Sequence, residues 1–212
     1  MLRSGRRPGV TRMPERSAAA LVLASASPRR AALLDQIGVR YVVDPADIDE
    51  RERAHEAPHD YVRRIALDKA ATVCGRRGRV EPVLGADTAV VIDDRIVGKP
   101  ADFAAAAAIL GALSGRWHEV YTGVALVHRA ASVIAVRTRV KFRALDSAEI
   151  AAYWDTGEPG DKAGAYAIQG IAGVFVERID GSYSNVVGLP LLETLDLLSG
   201  AGIAHALSKT AI

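Results

Sequence analysis

The sequence lacks several features that would assign it to a common class of protein. It has a single cysteine, Cys74, so it cannot form an internal disulfide, and we expect it to work in a reducing compartment. No apolar run approaches the roughly 18 residues that a membrane-spanning helix needs. The sequence also has no G-x-S-x-G elbow, no Walker loop and no G-x-G-x-x-G turn. These absences argue against secreted, membrane-spanning, serine-hydrolase and P-loop proteins and favour a cytoplasmic globular protein.

Charge is unevenly distributed along the chain. The formal net charge is +2, but residues 1–17 hold five arginines against one glutamate, which leaves 22 basic and 24 acidic residues in the remainder. The body of the protein therefore has no global attraction for nucleic acid, and we predict neither a nucleic-acid nor a membrane partner. Any anion site has to be local.

The basic segment 1–17 is predicted to be a disordered extension of a single domain that spans residues 18–212. A secretory signal is one alternative, because Arg6 and Arg7 precede the apolar stretch 18–24 and Ala24-Ser25-Ala26 imitates a cleavage site. Cleavage there would cut into the segment that carries the first candidate site. Translation from Met13 is a simpler alternative.

Strand and helix patterns alternate along the chain, which predicts a mixed α/β fold without internal repeats. The predicted strands are 21–25, 41–43, 83–85, 89–92, 95–97, 120–127, 133–142 and 174–179, with a hairpin turn at Asp93-Asp94. The predicted helices are 28–37, 60–74, 102–113, 146–154 with a capping box at Asp146 and Glu149, and one that opens at Pro190 and ends near Gly200. Residues 156–173 are predicted to be a loop.

The first candidate site is the start of the helix at Pro28. Ser27 is predicted to be the N-cap, and Arg29 and Arg30 fall in the first turn. Cations there oppose the helix dipole, so the segment is predicted to hold an anion such as phosphate between backbone amides and guanidinium groups. The alternative is a well-capped helix with two solvated arginines.

Asp87 is the second candidate, because it follows the apolar strand 83–85 and ligands of α/β sheets bind at strand ends. A carboxylate there can hold Mg²⁺ against a phosphate or take a proton from an attacking water. The alternative is an aspartate that caps a loop.

Weaker candidates are Lys69, Gly98-Lys99-Pro100 and the pair Asp49-Glu50, whose cations and carboxylates together suit a metal triphosphate. The Gly-rich segment 158–170 is longer than most structural loops, and its Gln169 has the donor and acceptor needed to read a base edge. Solvated surface residues and a mobile loop are the alternatives. His118 and Cys74 are predicted to have structural roles, because neither has a partner at metal-ligand or redox spacing.

In this order, these segments resemble the Maf family of nucleotide pyrophosphatases from about Leu21 to Leu198. The resemblance is carried by Leu-Ala-Ser-Ala-Ser-Pro-Arg-Arg at 23–30, Asp49-Glu50, Lys69-Ala70, Gly-Ala-Asp-Thr at 85–88, Gly-Lys-Pro at 98–100, Leu-Ser-Gly at 113–115, residues 118–123, the segment 158–170, and Gly-Ser-Tyr-Ser-Asn-Val-Val-Gly-Leu-Pro at 181–190. The resemblance implies an elongated mixed sheet flanked by helices, related to that of ITPases, with two lobes around a central cleft. It also implies a homodimer.

The resemblance further implies roles for individual residues. Asp87 matches the catalytic position, Glu50 and Asp87 match metal-handling positions for Mg²⁺ or Mn²⁺, and Ser27, Arg30, Lys69 and Lys99 match phosphate-binding positions. Arg29, Thr88 and Gln169 match the three specificity positions of the branch that acts on dTTP and UTP. The expected reaction is metal-assisted attack of water on the α-phosphorus, which releases pyrophosphate. The alternatives are a 7-methyl-GTP pyrophosphatase and a non-catalytic nucleotide-binding regulator of septum formation.

Overall fold

The computed structural model describes residues 21–208, and the predicted extension over residues 1–17 lies outside them. The described residues form seven strands: β1 (Leu21–Leu23), β2 (Tyr41–Val43), β3 (Val83–Ile92), β4 (Arg95–Val97), β5 (Trp117–Val127), β6 (Ala131–Phe142) and β7 (Val176–Asp180). The α-helices among them are α1 (Pro28–Gln36), α2 (Pro58–Arg76), α3 (Phe103–Leu113), α4 (Ser147–Asp155), α5 (Tyr183–Val187) and α6 (Leu191–Gly200).

All seven strands belong to one mixed sheet. Its order is β2-β1-β3-β5-β6-β7, and the short β4 pairs with β3. Strand β1 runs parallel to both β2 and β3, whereas the other pairs are antiparallel. The mixed α/β fold predicted from the sequence is confirmed. Within residues 21–208, no helix is both long enough and apolar enough to cross a bilayer.

Helix α2 lies directly on the backbone of the sheet. A Cβ atom on Gly85 would be 2.2 Å from the carbonyl oxygen of Ala66, and one on Gly123 would be 2.1 Å from that of Val62. Any larger residue would push the helix away, because real Cβ atoms do not approach backbone this closely. The two glycines therefore set how near the side chains of α2 come to those of β3, including Lys69 to Asp87.

The apolar core contains two large clusters. One packs α3 and α4 against β5 and β6, around Leu110, Phe142 and Tyr153. The other packs α1 and α6 against β1 and β3, around Leu34 and Leu198. Residues from both clusters line the pocket described below, so the two parts of the core jointly determine its shape.

Strand β3 differs from its prediction. The sequence suggested that one strand ends at Gly85 and another begins at Ala89, but the structure has one continuous strand. Asp87 pairs with Gly123 and Thr88 with Thr122, in the middle of the ladder with β5. A polar pair does not end a strand when the neighbouring strand supplies backbone hydrogen bonds along its whole length. Asp87 thus lies within a strand, and the prediction that it follows a strand end is wrong.

The region after α4 is also more ordered than predicted. Three short 3₁₀ segments occupy much of the predicted loop: Glu158–Asp161, Ala163–Ala165 and Ile171–Phe175. Helix α5 has no counterpart in the sequence prediction, because five residues are too few to show a helical period. Pro190 is the N-cap of α6 rather than its first residue. The capping box at Asp146 and the hairpin turn at Asp93-Asp94 are confirmed.

Candidate active site

A single pocket of about 610 Å³ brings the predicted site residues together. Its lining includes every one of them: Ser27, Arg29, Arg30, Glu50, Lys69, Asp87, Thr88, Lys99 and Gln169. They come from α1, α2, β3 and the segments around residues 50, 99 and 169, which are far apart in the sequence. Asp49 is not among them, because its carboxylate pairs with exposed Arg51 at 2.6 Å. The chemical roles of the assembled residues remain predictions.

Lys69 lies at the charged centre of the pocket. Its Nζ is 2.7 Å from Asp87 Oδ1 and 2.9 Å from Glu50 Oε1, so two carboxylates converge on one ammonium group. Lys69 and Asp87 are each only 7% exposed, whereas the Glu50 side chain is half exposed. Lys69 is therefore not the solvated surface lysine that the sequence left open. Burial makes Lys69 costly to remove, because the buried Asp87 carboxylate would lose the ammonium group that it contacts.

Arg30 is buried as well, which excludes the alternative of two solvated arginines. It is 9% exposed, and its Nε donates to the carbonyl oxygen of Gly188 at 2.8 Å. Its two terminal nitrogens donate to Ser25 Oγ and Thr88 Oγ1, each at 3.0 Å. Burial lowers the pKa of Arg30 from its ordinary value, while the nearby Asp87 acts in the opposite direction. Three scaffold acceptors thus hold a desolvated guanidinium in a fixed orientation at the pocket wall.

The backbone at the start of α1 is as predicted, but the predicted N-cap residue does not use its side chain to cap the helix. Ser27 occupies the N-cap and Pro28 the first helical position, as predicted. The Ser27 hydroxyl makes no capping hydrogen bond, although the N-cap preference for serine comes from that bond. Since the hydroxyl is not used to cap the helix, both it and the N-terminal amides of α1 are available to an anion in the pocket.

The loop side of the pocket carries exposed charge. Lys99, Asp161 and Gln169 are exposed, and Lys162 pairs with Asp161. Behind Gln169, the Glu158 carboxylate accepts from Tyr153 Oη at 2.7 Å and from the amides of Ile171 and Ala172 at 2.9 and 3.2 Å. These hydrogen bonds join residue 158 to residues 171 and 172, and so connect the two ends of the segment that contains Gln169.

His118 and Cys74 have the structural positions predicted for them. Cys74 is buried in an apolar cluster with α2 and β1. His118 lies beneath the pocket, where its Nε2 is 2.9 Å from the Tyr166 hydroxyl and its Nδ1 has no partner among residues 21–208. Burial lowers the pKa of His118 to about 4. At neutral pH His118 is therefore a neutral imidazole. It supports Tyr166, which lines the pocket.

The pocket is locally cationic although the body of the protein is not. Its lining has five basic side chains, Arg29, Arg30, Lys69, Lys99 and Lys162, against three acidic ones, Glu50, Asp87 and Asp161. The positive charge predicted for a local anion site is therefore present in this pocket. Among residues 21–208, no group of three or more His, Cys, Asp or Glu side chains is arranged to hold a metal ion. The two carboxylates predicted to hold a metal ion, Glu50 and Asp87, both contact Lys69.

Several residues of the site were not identified from the sequence. Ser25 and Gly188 bind Arg30, and the Tyr61 hydroxyl donates to the backbone oxygen of Glu50 at 3.0 Å. Thr122 and Asn185 extend the hydrogen bonds of Thr88 away from the pocket. Ser25, Gly188 and Asn185 fall inside segments that carried the family resemblance, which was the available signal. Thr122 likewise falls inside the segment 118–123, whereas Tyr61 gave no signal beyond its helix pattern.

The known proteins that are similar to this chain include three that are each called a dTTP/UTP pyrophosphatase. The protein from Methylobacillus flagellatus is 53% identical over 87% of this chain and 94% of its own length. Those from Hahella chejuensis and Myxococcus xanthus are 54% and 55% identical, and each alignment covers 86% of this chain and more than nine-tenths of the relative.

A solved structure from Mycobacterium abscessus, titled nucleoside-triphosphatase / dITP/XTP pyrophosphatase, is 20% identical and covers 58% of this chain and 74% of its own, with a TM-score of 0.40. Overlap at this level is too low to transfer detail. The model of the family described as Maf-like protein matches residues 20–201, which include every strand and helix of the structure. With relatives above 50% identity over most of its length, the chain belongs to the Maf family.

Proposed function

We propose that this protein is a nucleoside triphosphate pyrophosphatase that converts dTTP and UTP to the nucleoside monophosphate and pyrophosphate. The observation that carries the proposal is the buried contact of Lys69 with Asp87 and Glu50, in a pocket that also holds Arg30 and a helix N-terminus. Acidic and basic groups of this kind serve phosphoryl chemistry. The relatives named dTTP/UTP pyrophosphatase support the choice of nucleotide.

The cations of the pocket account for binding of the triphosphate. Arg30, Lys69 and Lys99 supply donors for phosphate oxygens, and Ser27 adds a hydroxyl beside the first amides of α1. Arg30 has five N–H donors, of which the scaffold uses three. The remaining two N–H groups are available to the substrate in an orientation that the scaffold already fixes.

Glu50 and Asp87 would hold a divalent cation, Mg²⁺ or Mn²⁺. The residues fit such an ion, because Mg²⁺ is commonly bound through one or two carboxylates and completes its shell with substrate phosphates and water. Both carboxylates already meet at one cation, the Lys69 ammonium group. When bound, a divalent ion neutralises phosphate charge and makes its water more acidic.

Asp87 is the residue proposed to activate water. Lys69 engages its Oδ1, and no residue in the described range binds its Oδ2, which leaves this oxygen to accept a proton from water. As the water oxygen forms a bond to the α-phosphorus, the bond from that phosphorus to the bridging oxygen breaks. The electron pair leaves with pyrophosphate, whose charge the buried Arg30 and Lys69 stabilise.

Arg29, Thr88 and Gln169 are proposed to determine the choice of base. Gln169 is exposed at the loop side of the pocket, and its amide can donate and accept at the same time. Arg29 is half-buried at the start of α1, opposite in charge to the nearby Asp161. We also propose that the protein acts in the cytoplasm as a homodimer without a nucleic-acid or membrane partner, which light scattering of the purified protein would test in part.

The direct test is release of pyrophosphate by purified protein with Mg²⁺ or Mn²⁺. The panel contains dTTP, UTP, CTP, 7-methyl-GTP and the common purine triphosphates, and Asp87→Asn protein is the matched control. We expect selective release from dTTP and UTP, with stoichiometric nucleoside monophosphate. Release from 7-methyl-GTP alone would overturn the choice of nucleotide, and tight binding without release would indicate a nucleotide-binding regulator.

A further inference from the structure

A chain of hydrogen bonds leads from Arg30 into the interior of the protein. The Arg30 guanidinium donates to Thr88 Oγ1, which lies 3.0 Å from Thr122 Oγ1. Thr122 is fully buried, does not line the pocket, and donates to the carbonyl oxygen of Asn185 at 2.9 Å. The side chain of Asn185 is itself bonded to the carbonyl oxygen of Val120 and to Thr138, which makes it a fixed end point.

The direction of this chain follows from counting protons. A hydroxyl group has one proton to donate. Thr122 must give its proton to Asn185, because a carbonyl oxygen can only accept. Thr88 must therefore donate to Thr122, since the 3.0 Å contact between the two hydroxyls needs one proton and Thr122 has none left. The order is Arg30 to Thr88 to Thr122 to Asn185.

We infer that Thr88 is a positioning residue for Arg30 and does not read the base by donating to it. Its proton is committed to Thr122 and one of its lone pairs to Arg30, so it can offer a ligand a single lone pair at most. Thr122 does not line the pocket, so it helps to position Arg30 only through its hydrogen bond with Thr88. The inference rests on the proposed function in assigning the triphosphate to Arg30. For Thr88 it replaces the direct role in the choice of base, proposed above, with an effect on phosphate binding through Arg30.

A ligand without a base separates the two roles. Binding of inorganic tripolyphosphate and of dTTP, the latter as its non-hydrolysable α,β-imido analogue, is measured by calorimetry with Mg²⁺ for wild type, Thr88→Val and Thr122→Val. We expect Thr88→Val to weaken both ligands by about tenfold, the loss typical of one charge-assisted hydrogen bond. Thr122→Val should weaken both by about threefold, because it loosens Thr88 without removing it. The double variant should bind no worse than Thr88→Val, since the two residues act in series.

Variants that keep the hydroxyl control for damage to the fold. Thr88→Ser and Thr122→Ser retain the proton chain, and we expect affinities within about twofold of wild type. Thr194→Val is a matched buried threonine variant, because Thr194 is fully buried in α6 and outside the pocket. It should leave both affinities unchanged.

The inference is overturned if Thr88→Val binds tripolyphosphate like wild type and loses affinity for dTTP only. It is also overturned if the effects of Thr88→Val and Thr122→Val add fully, or if wild-type protein binds dTTP but not tripolyphosphate. The two proposals can also fail separately. If the wild-type protein releases no pyrophosphate, while the variants show the expected losses of affinity for tripolyphosphate, the proposed catalytic function is overturned and the role of Thr88 in positioning Arg30 is supported.

Discussion

The two sides of the pocket are built differently. Arg30, Glu50, Lys69 and Asp87 form a charged wall on helices, β3 and the segment before α2, and all except Glu50 are buried. Lys99, Asp161, Lys162 and Gln169 form a loop wall, of which all but Lys162 are exposed. The charged wall is held by contacts among its own members and with the scaffold. The loop wall is held from behind, by Glu158 at its base and by Tyr166 against His118.

The difference separates two tasks. Phosphoryl chemistry needs charges in fixed positions with little water, because electrostatic stabilisation is strongest where groups are desolvated and already oriented. Selection of a nucleotide needs groups that a ligand can reach and that can adjust to it. Under the proposed function, the charged wall would carry out the phosphoryl chemistry, and the segment of 3₁₀ turns would take part in selecting the nucleotide.

The largest expected effect lies in the charged wall. Asp87→Asn removes the proton acceptor and should lower kcat for dTTP by about 10³-fold, in the range for loss of a general base. Lys99→Gln, in the loop wall, should raise KM by about fivefold, as for an exposed ion pair. Steady-state kinetics for both variants tests the contrast. Equal losses in kcat would show that the two walls do not divide the tasks in this way.

The free energy of unfolding should depend on pH through His118, which contacts Tyr166 behind the loop wall. The pKa of His118 is about 4 in the folded protein and 6.5 ordinarily, so the unfolded chain binds more protons between these values. The free energy of unfolding therefore falls as pH drops from about 6.5 to about 4, by about 3 kcal/mol. His118→Gln does not titrate and should lose that part of the dependence. Urea unfolding of both proteins at pH 7 and pH 4.5 measures it, and identical pH slopes would contradict the assignment.

The clamp at the base of the loop wall should affect binding of substrate more than turnover. Glu158→Gln keeps the shape of the side chain but replaces one acceptor oxygen with a donor facing Tyr153 or the amides of Ile171 and Ala172. A net loss of about 1–2 kcal/mol in loop order should raise KM for dTTP by about tenfold. We expect kcat to change by less than about twofold.

Glu177→Gln is the control for that variant, because Glu177 is exposed on β7 and does not line the pocket. Its kinetic constants should equal those of wild type. A Glu158→Gln protein whose loss is entirely in kcat would show that the clamp acts on the charged wall.

The smallest effect is expected outside both walls. Thr194 is fully buried, and its hydroxyl has no hydrogen-bond partner among residues 21–208. Thr194→Val removes that unsatisfied group at nearly constant volume and should stabilise the protein by about 1 kcal/mol without changing kcat or KM. Urea unfolding measures the gain, and Thr194→Ser, which keeps the hydroxyl, should show none. A destabilised Thr194→Val protein would indicate a partner for the hydroxyl.

Features that depend on neighbouring residues were predicted correctly from the sequence, whereas strand β3 and helix α5 were not. The capping box at Asp146 and the hairpin at Asp93-Asp94 depend on neighbouring residues, and both were predicted correctly. Strand β3 was divided at Asp87, because local pattern treats a polar pair as an end. The continuous ladder with β5 overrides that pattern, and at Asp87 and Thr88 it is formed by residues more than thirty positions away. Helix α5 was not predicted, because its five residues are too few to show a helical period.

The amino-acid sequence by itself determined the mixed α/β class, the local charge of the N-terminal segment and, through its motifs, which residue types are available for phosphate chemistry. Only the tertiary structure decided which of them meet. Lys69 is 18 positions from Asp87, and the two touch because Gly85 and Gly123 let α2 lie on the sheet. Arg30 is likewise held by Ser25, Thr88 and Gly188. The direction of the hydrogen bonds that lead away from it depends on Thr122 and Asn185. Contacts between distant segments set these properties, because burial and hydrogen-bond direction depend on neighbours in space.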